Sequence, residues 1–297
     1  MFFQLDNSGL PVLHMCCASE SGKEHEKHKH AKGAFIMELT LYQIDAFASK
    51  PFEGNPAAVC LLERWIPDAL LQAIAEENNL SETAFLVPQG KKVHIRWFTP
   101  VTEVDLCGHA TLASAYVLFK LMGHEKEKII FESKSGELIV FCESEWLVMD
   151  FPSQPPVLCD TPEGMVKAFG RNPLEVLKSE DYLAVFETEE VIRSLEPDYD
   201  LLKRLDLRGV IATARGDCVD FVSRFFAPKY GIDEDPVTGS AHCALTPYWA
   251  NTLNKSKFIA KQVSKRGGEL ICELKDDRVF ISGKAVQYLE GKIIIDI

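Results

Sequence analysis

Two stretches of the chain share the same order of residue types: RWFTPVTEVDLCGHA at 96–110 and RFFAPKYGIDEDPVTGSA at 224–241. Each stretch begins with an arginine and two aromatic residues, passes a proline and a group of acidic residues, and ends in small residues. The arginines that begin the stretches lie 128 residues apart, whereas the glycines near their ends lie 131 apart, so the two loops differ by three residues. This pattern predicts an internal duplication in which each copy runs strand, loop and helix.

An apolar segment that opens with small residues follows in both copies, at 108–122 and at 239–253. These segments are apolar on nearly all sides, which predicts two buried helices. The first turn of a helix has free backbone N–H groups and a partial positive charge, so two N-termini facing one cleft would attract an anion. We therefore expect Gly108, Gly239 and Ser240 to bind a substrate carboxylate through backbone N–H groups, with tight turns as their alternative role.

Short strand-like runs make up most of the remaining chain, for example ELTLYQIDAF at 38–47 and GELIVFCE at 136–143. Many strands with few, central helices predict an α+β fold rather than a doubly wound parallel sheet. The G-x-G-x-x-G and P-loop patterns are absent from the sequence, so nothing in it indicates a nucleotide.

The composition limits the class of partner. The 297 residues carry a net charge of −12, with 46% hydrophobic and 26% charged residues. This balance is typical of a globular protein and argues against a nucleic-acid partner, because phosphate binding needs a concentrated basic surface. No apolar run reaches the roughly 20 residues of a membrane-spanning helix. A small molecule is therefore the expected partner.

The nine cysteines are scattered and form no C-x-x-C pair. The sequence therefore indicates neither a zinc site nor a thioredoxin-type site. An odd number of cysteines without a secretory signal predicts a reducing, cytoplasmic compartment. We expect no metal and no cofactor.

The first 36 residues differ from the rest, since ESGKEHEKHKHAKGAF at 20–35 is polar, charged and rich in histidine. This composition predicts a flexible leader, 1–36, that lies outside the folded part. Metal binding by His25, His28 and His30 is the alternative interpretation.

Five short strings, in this order along the chain, together resemble one known family: FEGNPAAV (52–59), LSETAF (80–85), EVDLCGHAT (103–111), EDPVTGSA (234–241) and RGGEL (266–270). Their combination is similar to the PhzF-like, or phenazine biosynthesis-like, family of cofactor-independent isomerases. The resemblance implies two pseudo-symmetric lobes, each a curved, mostly antiparallel sheet wrapped around a central helix, as in diaminopimelate epimerase and proline racemase. A homodimer fits the family.

The resemblance also implies a division of the folded part. We expect an N-terminal lobe at 37–145 and a C-terminal lobe at 146–285. The last strand, 286–297, is expected to return to the first lobe, which leaves the active site between the lobes.

The same resemblance identifies the catalytic residues as Glu82, His109 and Asp235. Glu82 matches the family's general base, a role that needs a carboxylate poised near neutral pH by partial burial. His109 and Asp235 are expected to orient the substrate and tune the base, with Asp235 paired to His109 or to substrate. Asn55 and Ser81 are expected on the substrate side. Local sequence alone favours a different interpretation of the LSETAF string, a capped turn at Ser81 with Glu82 in solvent.

Cys107 marks a departure from the related racemases and epimerases, in which a thiol precedes the glycine in both copies. Here Thr238 occupies the second position, and a hydroxyl cannot replace a thiolate base. A two-thiol racemase is therefore not expected. An amino-acid racemase or epimerase using Cys107 with a non-thiol partner is the second hypothesis, and a catalytically silent binding protein of the same fold is the third. Arg266 either adds charge near the cleft mouth or belongs to a hairpin turn.

Overall fold

The structure is a computed structural model that describes residues 36–296. The histidine-rich stretch and its predicted metal-binding alternative lie outside the described residues. Ile36, the last residue of the predicted leader, already belongs to the first strand. Within the described part of the chain, no helix is long and apolar enough to cross a membrane.

Strands dominate residues 36–296 and form one continuous sheet. The strands are β1 Ile36–Ala46, β2 Asn55–Leu61, β3 Glu82–Gln89, β4 Lys92–Phe98, β5 Glu103–Val104, β6 Lys128–Ser133, β7 Gly136–Glu143, β8 Trp146–Pro152, β9 Val157–Leu158, β10 Glu175–Lys178, β11 Tyr182–Val185, β12 Val210–Arg215, β13 Phe221–Ala227, β14 Ile232–Asp235, β15 Lys257–Gln262, β16 Gly268–Lys275, β17 Arg278–Gly283 and β18 Ala285–Asp296. The helices are α1 Asp68–Asn78, α2 Gly108–Tyr116, α3 Met165–Phe169, α4 Glu189–Ser194, α5 Tyr199–Leu202 and α6 Gly239–Leu253. A π-helical turn, Val117–Leu121, continues α2, and a 3₁₀ turn, Pro228–Tyr230, precedes β14.

The strand pairing repeats itself from β1–β8 to β10–β17. In the first copy β2 pairs with β3 and β4 with β6 in parallel, and all other neighbours are antiparallel. In the second copy β11 pairs with β12 and β13 with β15 in parallel, with antiparallel pairs elsewhere. The long helices α2 and α6 occupy the same place in each copy. The predicted α+β fold with two pseudo-symmetric lobes is therefore confirmed.

The two copies meet through equivalent strands. β8 pairs antiparallel with β17, from Leu147 opposite Gly283 to Pro152 opposite Arg278. β18 pairs with β1 along its whole length, while its counterpart β9 pairs with β10. The sheet is thus continuous through both copies, and the lobe boundary at 145/146 stays a prediction.

The core is built around the two long helices. Leu112 and Ala113 of α2 and Leu245 of α6 are fully buried and belong to one hydrophobic cluster that spans both copies. Trp249 of α6 stacks on Phe221 of β13, with ring centroids 5.7 Å apart. Most residues of both helices are buried, because the sheets pack against them on nearly all sides.

An arginine–glutamate pair recurs ahead of each long helix. Arg96 donates to both carboxylate oxygens of Glu103, at 2.7 and 2.9 Å. Arg224 donates to both oxygens of Glu234, at 2.6 and 2.9 Å. Bidentate pairs of this kind fix geometry as well as charge. They tie β4 to β5 and β13 to β14, and so set the path by which the chain enters each helix.

Candidate active site

The two long helices meet end to end at their N-termini. A Cβ atom built on Gly108 would lie 3.6 Å from the Gly239 Cα, and one built on Gly239 would lie 3.6 Å from the Gly108 Cα. The free N–H groups of both first turns therefore point into one region between the lobes. The predicted catalytic residues converge on this region.

Glu82 and His109 form a buried pair in the first lobe. Glu82 begins β3, His109 is the second residue of α2, and Glu82 Oε2 lies 3.0 Å from His109 Nε2. Glu82 is 8% exposed and His109 is 5% exposed. Within residues 36–296, no donor is aligned on Glu82 Oε2 for a hydrogen bond. This contact is an ion-pair contact, and it leaves a lone pair of the carboxylate able to receive a proton.

Asn55 connects the two lobes at the site. Its amide nitrogen donates to Asp235 Oδ1 at 2.8 Å and to the Val237 carbonyl at 3.0 Å. The same nitrogen lies 3.2 Å from His109 Nδ1, while the Asn55 oxygen accepts from the Ser81 hydroxyl at 3.2 Å. The expected direct pairing of His109 with Asp235 is thus replaced by a bridge through Asn55. Ser81, expected on the substrate side, holds this bridge in place.

Asn55 also constrains the imidazole. Both of its amide protons are already donated, to Asp235 and to the Val237 carbonyl, so its 3.2 Å contact with His109 Nδ1 is a close approach and not a third full hydrogen bond. The other ring nitrogen, Nε2, is the one next to Glu82. A proton carried by Nε2 therefore faces Glu82.

A tight loop sets the position of Asn55. Gly54 has φ +67°, and a Cβ atom there would lie 2.1 Å from the Ala46 carbonyl oxygen, so only glycine fits. Arg266 donates to the Gly54 carbonyl at 2.8 Å and to the buried Asp45 carboxylate at 2.8 Å. Of the two roles considered for Arg266, these contacts favour a structural one, since they attach a second-lobe loop to the loop that carries Asn55.

Asp235 has its own support in the second lobe. It ends β14 and is 8% exposed, and its Oδ2 accepts a short hydrogen bond from the Thr238 hydroxyl. Gln262 donates to the Asp235 carbonyl at 2.8 Å and to Thr238 Oγ1 at 3.2 Å, and accepts from the Thr238 N–H at 2.9 Å. Both carboxylate oxygens of Asp235 thus accept hydrogen bonds.

Burial shifts the proton affinity of the site. It raises the pKa of Asp235 to about 6, and the nearby charge of Glu82 adds to this rise, while His109 opposes it. Burial lowers the pKa of His109, but the Glu82 carboxylate 3.0 Å away outweighs burial and raises this pKa above its usual value. A charged imidazole between two carboxyl groups is therefore the expected state near neutral pH.

Cys107 lies beside the pair without sharing its chemistry. Its Sγ is 3.5 Å from His109 Nδ1, and burial raises the pKa of the Cys107 thiol to about 11. Ligand atoms of Glu82, Cys107 and His109 lie within 4.8 Å of one another, a spacing that could hold a cation. A cation such as zinc would need the thiolate, which burial disfavours, so this donor set fits proton transfer better than metal binding.

Two residues of the second lobe escaped sequence reasoning. Arg208 donates to the buried Asp181 at 2.6 Å and to the Ser240 hydroxyl at 3.1 Å. Strand register makes Arg208 the counterpart of Ser81, so a longer alignment of the two copies would have found it. No sequence pattern around Gln262 indicates a role at the site, because a single glutamine at the end of a strand belongs to no known motif.

Two pseudo-symmetric lobes hold a buried carboxylate–imidazole pair and a second carboxylate at two helix N-termini. These groups are suited to acid–base chemistry. Comparisons with known proteins place the chain among isomerases.

Residues 44–291 match the family model described as phenazine biosynthesis-like protein, PhzC-PhzF. An uncharacterised isomerase of Pseudomonas aeruginosa is 53% identical over 257 residues, which cover 86% of this chain and 99% of that protein. A human phenazine biosynthesis-like domain-containing protein is 39% identical, with the same two shares. The crystal structure of a PhzF family protein of Enterococcus faecalis is 48% identical with a TM-score of 0.85, over 86% of this chain and 99% of that one. The chain belongs to the phenazine biosynthesis-like, or PhzF, family of isomerases.

A more distant likeness concerns the fold alone. A probable proline racemase of Agrobacterium radiobacter is 11% identical with a TM-score of 0.59, over 87% of this chain and 93% of that one. The fold expected from the resemblance is thus confirmed.

Proposed function

We propose that this isomerase moves a proton on a small carboxylate-bearing substrate without a cofactor. The observation that carries the proposal is the buried series Glu82, His109, Asn55 and Asp235, which links one carboxyl group from each lobe. Both carboxyl groups are about nine-tenths buried, and buried carboxyl groups are suited to general acid–base catalysis near neutral pH.

In this proposal Glu82 is the general base. Its carboxylate takes a proton from a substrate carbon next to a conjugated or carboxyl-activated group. The C–H bond breaks, and its electron pair moves into the conjugated system. Glu82 or Asp235 then returns a proton to a different carbon, so that substrate and product are isomers and no co-reactant is consumed.

The helix N-termini supply the binding of the substrate carboxylate. Gly108 opens α2, and Gly239 and Ser240 open α6, so their backbone N–H groups lie in first turns that lack intrahelical partners. Aligned helix dipoles stabilise an anion at this position. Ser240 adds a hydroxyl proton, since its oxygen already accepts from Arg208 at 3.1 Å.

The racemase alternative requires a thiolate and a second acid–base group on the opposite face of the carbon. Cys107 is buried with a pKa raised to about 11, and Thr238 stands where the second thiol would be. Both facts disfavour it. A catalytically silent binding protein would bind carboxylates without exchanging any proton.

Glu82→Gln tests the assignment of the base. We expect solvent deuterium to enter at least one member of a panel of cyclic and amino-acid carboxylates with the wild-type protein. The variant should reduce that rate by at least about a hundredfold, because general-base catalysis is worth about 10²–10⁴ in rate. Deuterium incorporation measured by mass spectrometry is the readout.

Glu77→Gln is the matched control, because Glu77 lies exposed on α1 and should exchange at the wild-type rate. Equal rates in wild type and Glu82→Gln would show that Glu82 is not the base. Tight binding of a carboxylate, with no deuterium incorporation by the wild type or either variant, would favour the catalytically silent binding protein.

A further inference from the structure

Thr238 occupies the same place in the second lobe as Cys107 in the first. Each is the residue before the first turn of its long helix, and each has an extended backbone, with φ −116° for Thr238 and −145° for Cys107. A threonine at this position commonly accepts a hydrogen bond from the first turn. The Thr238 side chain makes no such bond to its own helix, so its hydroxyl is free for another partner.

That partner is Asp235, and Gln262 determines the direction of the bond. Gln262 is 1% exposed, and its amide nitrogen donates to Thr238 Oγ1 at 3.2 Å. Its amide oxygen accepts from the Thr238 N–H at 2.9 Å. Because the hydroxyl oxygen already accepts from Gln262, its own proton points to Asp235 Oδ2.

The charged and titratable groups near Asp235 come from several elements. The charge of His109 on α2 favours the ionised form of Asp235, whereas the charge of Glu82 on β3 disfavours it. The Cys107 thiol of α2 is protonated near neutral pH, and the Arg208 guanidinium before β12 interacts with Asp235 through its positive charge. Hydrogen bonds donated to a carboxylate favour its charged form and oppose burial.

We propose that Thr238 is a positioning residue for Asp235. The Thr238 hydroxyl, aligned by Gln262, donates to the Asp235 carboxylate and stabilises its charged form, so that Asp235 can still take up and release a proton near neutral pH. Without this hydroxyl, burial and Glu82 would leave Asp235 protonated over most of the neutral range. The catalytic consequence rests on the proposed function, because only a proton-transfer enzyme needs Asp235 to take up and release a proton.

Carbon-13 NMR of protein labelled at aspartate carboxyl carbons tests this without any substrate, with Asp235→Asn used to assign the resonance. We expect Asp235 to titrate near pH 6 in the wild type, in line with its pKa of about 6. Thr238→Val, which keeps the shape of the side chain, should raise the midpoint by about one to two pH units, the worth of one hydrogen bond to a charged group. Thr238→Ser, which keeps the hydroxyl, should titrate near the wild-type midpoint.

An unchanged midpoint in Thr238→Val would overturn the proposal, and so would an equal rise in Thr238→Ser, since the methyl group would then be the cause. Should Thr238→Val fail to fold, Gln262→Met removes the group that aligns the hydroxyl and should raise the midpoint in the same direction. A rise of the midpoint together with an absence of deuterium exchange would leave this proposal intact and contradict only the proposed function.

Discussion

The two lobes share a frame and differ at the residues around the two helix N-termini. Both have the arginine–glutamate pair and a long buried helix. The first lobe places its carboxylate at Glu82, whose counterpart by strand register is Gly209. A Cβ atom at Gly209 would lie 2.6 Å from the Phe226 carbonyl oxygen, so no side chain fits there.

The second lobe supplies its carboxylate from another position. Asp235 corresponds to Val104 of the first copy, and Ser240 corresponds to His109. The duplicated frame therefore holds two carboxyl groups that are not related by its pseudo-symmetry. A racemase with two equivalent thiols would use the symmetry of this frame. This chain departs from that symmetry at both candidate carboxyl groups, which favours the proposed transfer of a proton between two different carbons.

The largest difference in stability between the lobes is expected at the arginines. Arg224 also donates to the carbonyls of Ile192 at 3.1 Å and Leu195 at 2.7 Å, and its side chain is 10% exposed against 18% for Arg96. Arg224→Met should lower the free energy of unfolding by about 3–5 kcal/mol, because it leaves a mostly buried Glu234 and two carbonyls unpaired.

Arg96→Met is the matched variant in the first lobe and should cost less, about 1 kcal/mol. Glu103 is as buried as Glu234, but the other partner of Arg96 is the exposed Asp68 and not a pair of backbone carbonyls. Glu103 would still be paired with Lys134. Urea unfolding of both variants measures the difference. Equal losses would mean that the two pairs are equivalent in energy and that the lobes differ only at the cleft.

A smaller effect, of opposite sign in the two lobes, is expected from removing a carboxylate. The folded-state pKa of Asp235 is about 6, above the usual value of about 3.9 in the unfolded chain. The folded protein therefore binds more protons between these values, and wild-type stability falls as pH rises from about 4 to about 6. Asp235→Asn removes this penalty, so its stability relative to wild type should rise by about 3 kcal/mol between pH 4 and pH 6. This rise is added to a loss that does not depend on pH, because the amide nitrogen of asparagine cannot accept the hydrogen bond that a carboxylate oxygen accepts.

Glu103→Gln should behave in the opposite way. A hydrogen bond from Arg96 lowers the pKa of Glu103, so its contribution to stability is present at neutral pH and is lost as pH falls through the folded-state pKa. The variant should be less stable than wild type at pH 7 and approach it in acid. Urea unfolding from pH 3 to pH 7 tests both signs. A stability difference between Asp235→Asn and wild type that stays constant from pH 4 to pH 6 would contradict the burial argument.

The smallest effect is expected at Cys107. At pH 8 its thiol, with a pKa of about 11, has roughly one part in a thousand as thiolate. Iodoacetamide should therefore modify the exposed Cys218 and leave Cys107 intact in the folded protein, as read by peptide mass spectrometry. Cys107→Ser should change the deuterium exchange rate by less than about tenfold. Alkylation of Cys107 with loss of exchange would restore the racemase alternative.

The sequence by itself determined the frame and named the candidate catalytic residues. The repeat at 96–110 and 224–241 predicted two strand–loop–helix units, because strand and helix periods and small-residue helix openings are local properties of the chain. The motif strings identified Glu82, His109 and Asp235, and the structure brings all three to one place. Thr238 in place of a second thiol already disfavoured a two-thiol racemase.

Only the tertiary structure decided how these groups are connected. Asn55 contacts His109, which is 54 positions away in the chain, and Asp235, which is 180 positions away. Gln262 binds Asp235 from 27 positions away. Such hydrogen bonds depend on how β2, α2, β14 and β15 pack together. The residues next to an asparagine or glutamine in a strand do not reveal whether its side chain contacts solvent or a carboxylate. The pKa of Asp235 follows from the same packing, because burial is set by the contact between lobes and not by the residues next to it in the chain.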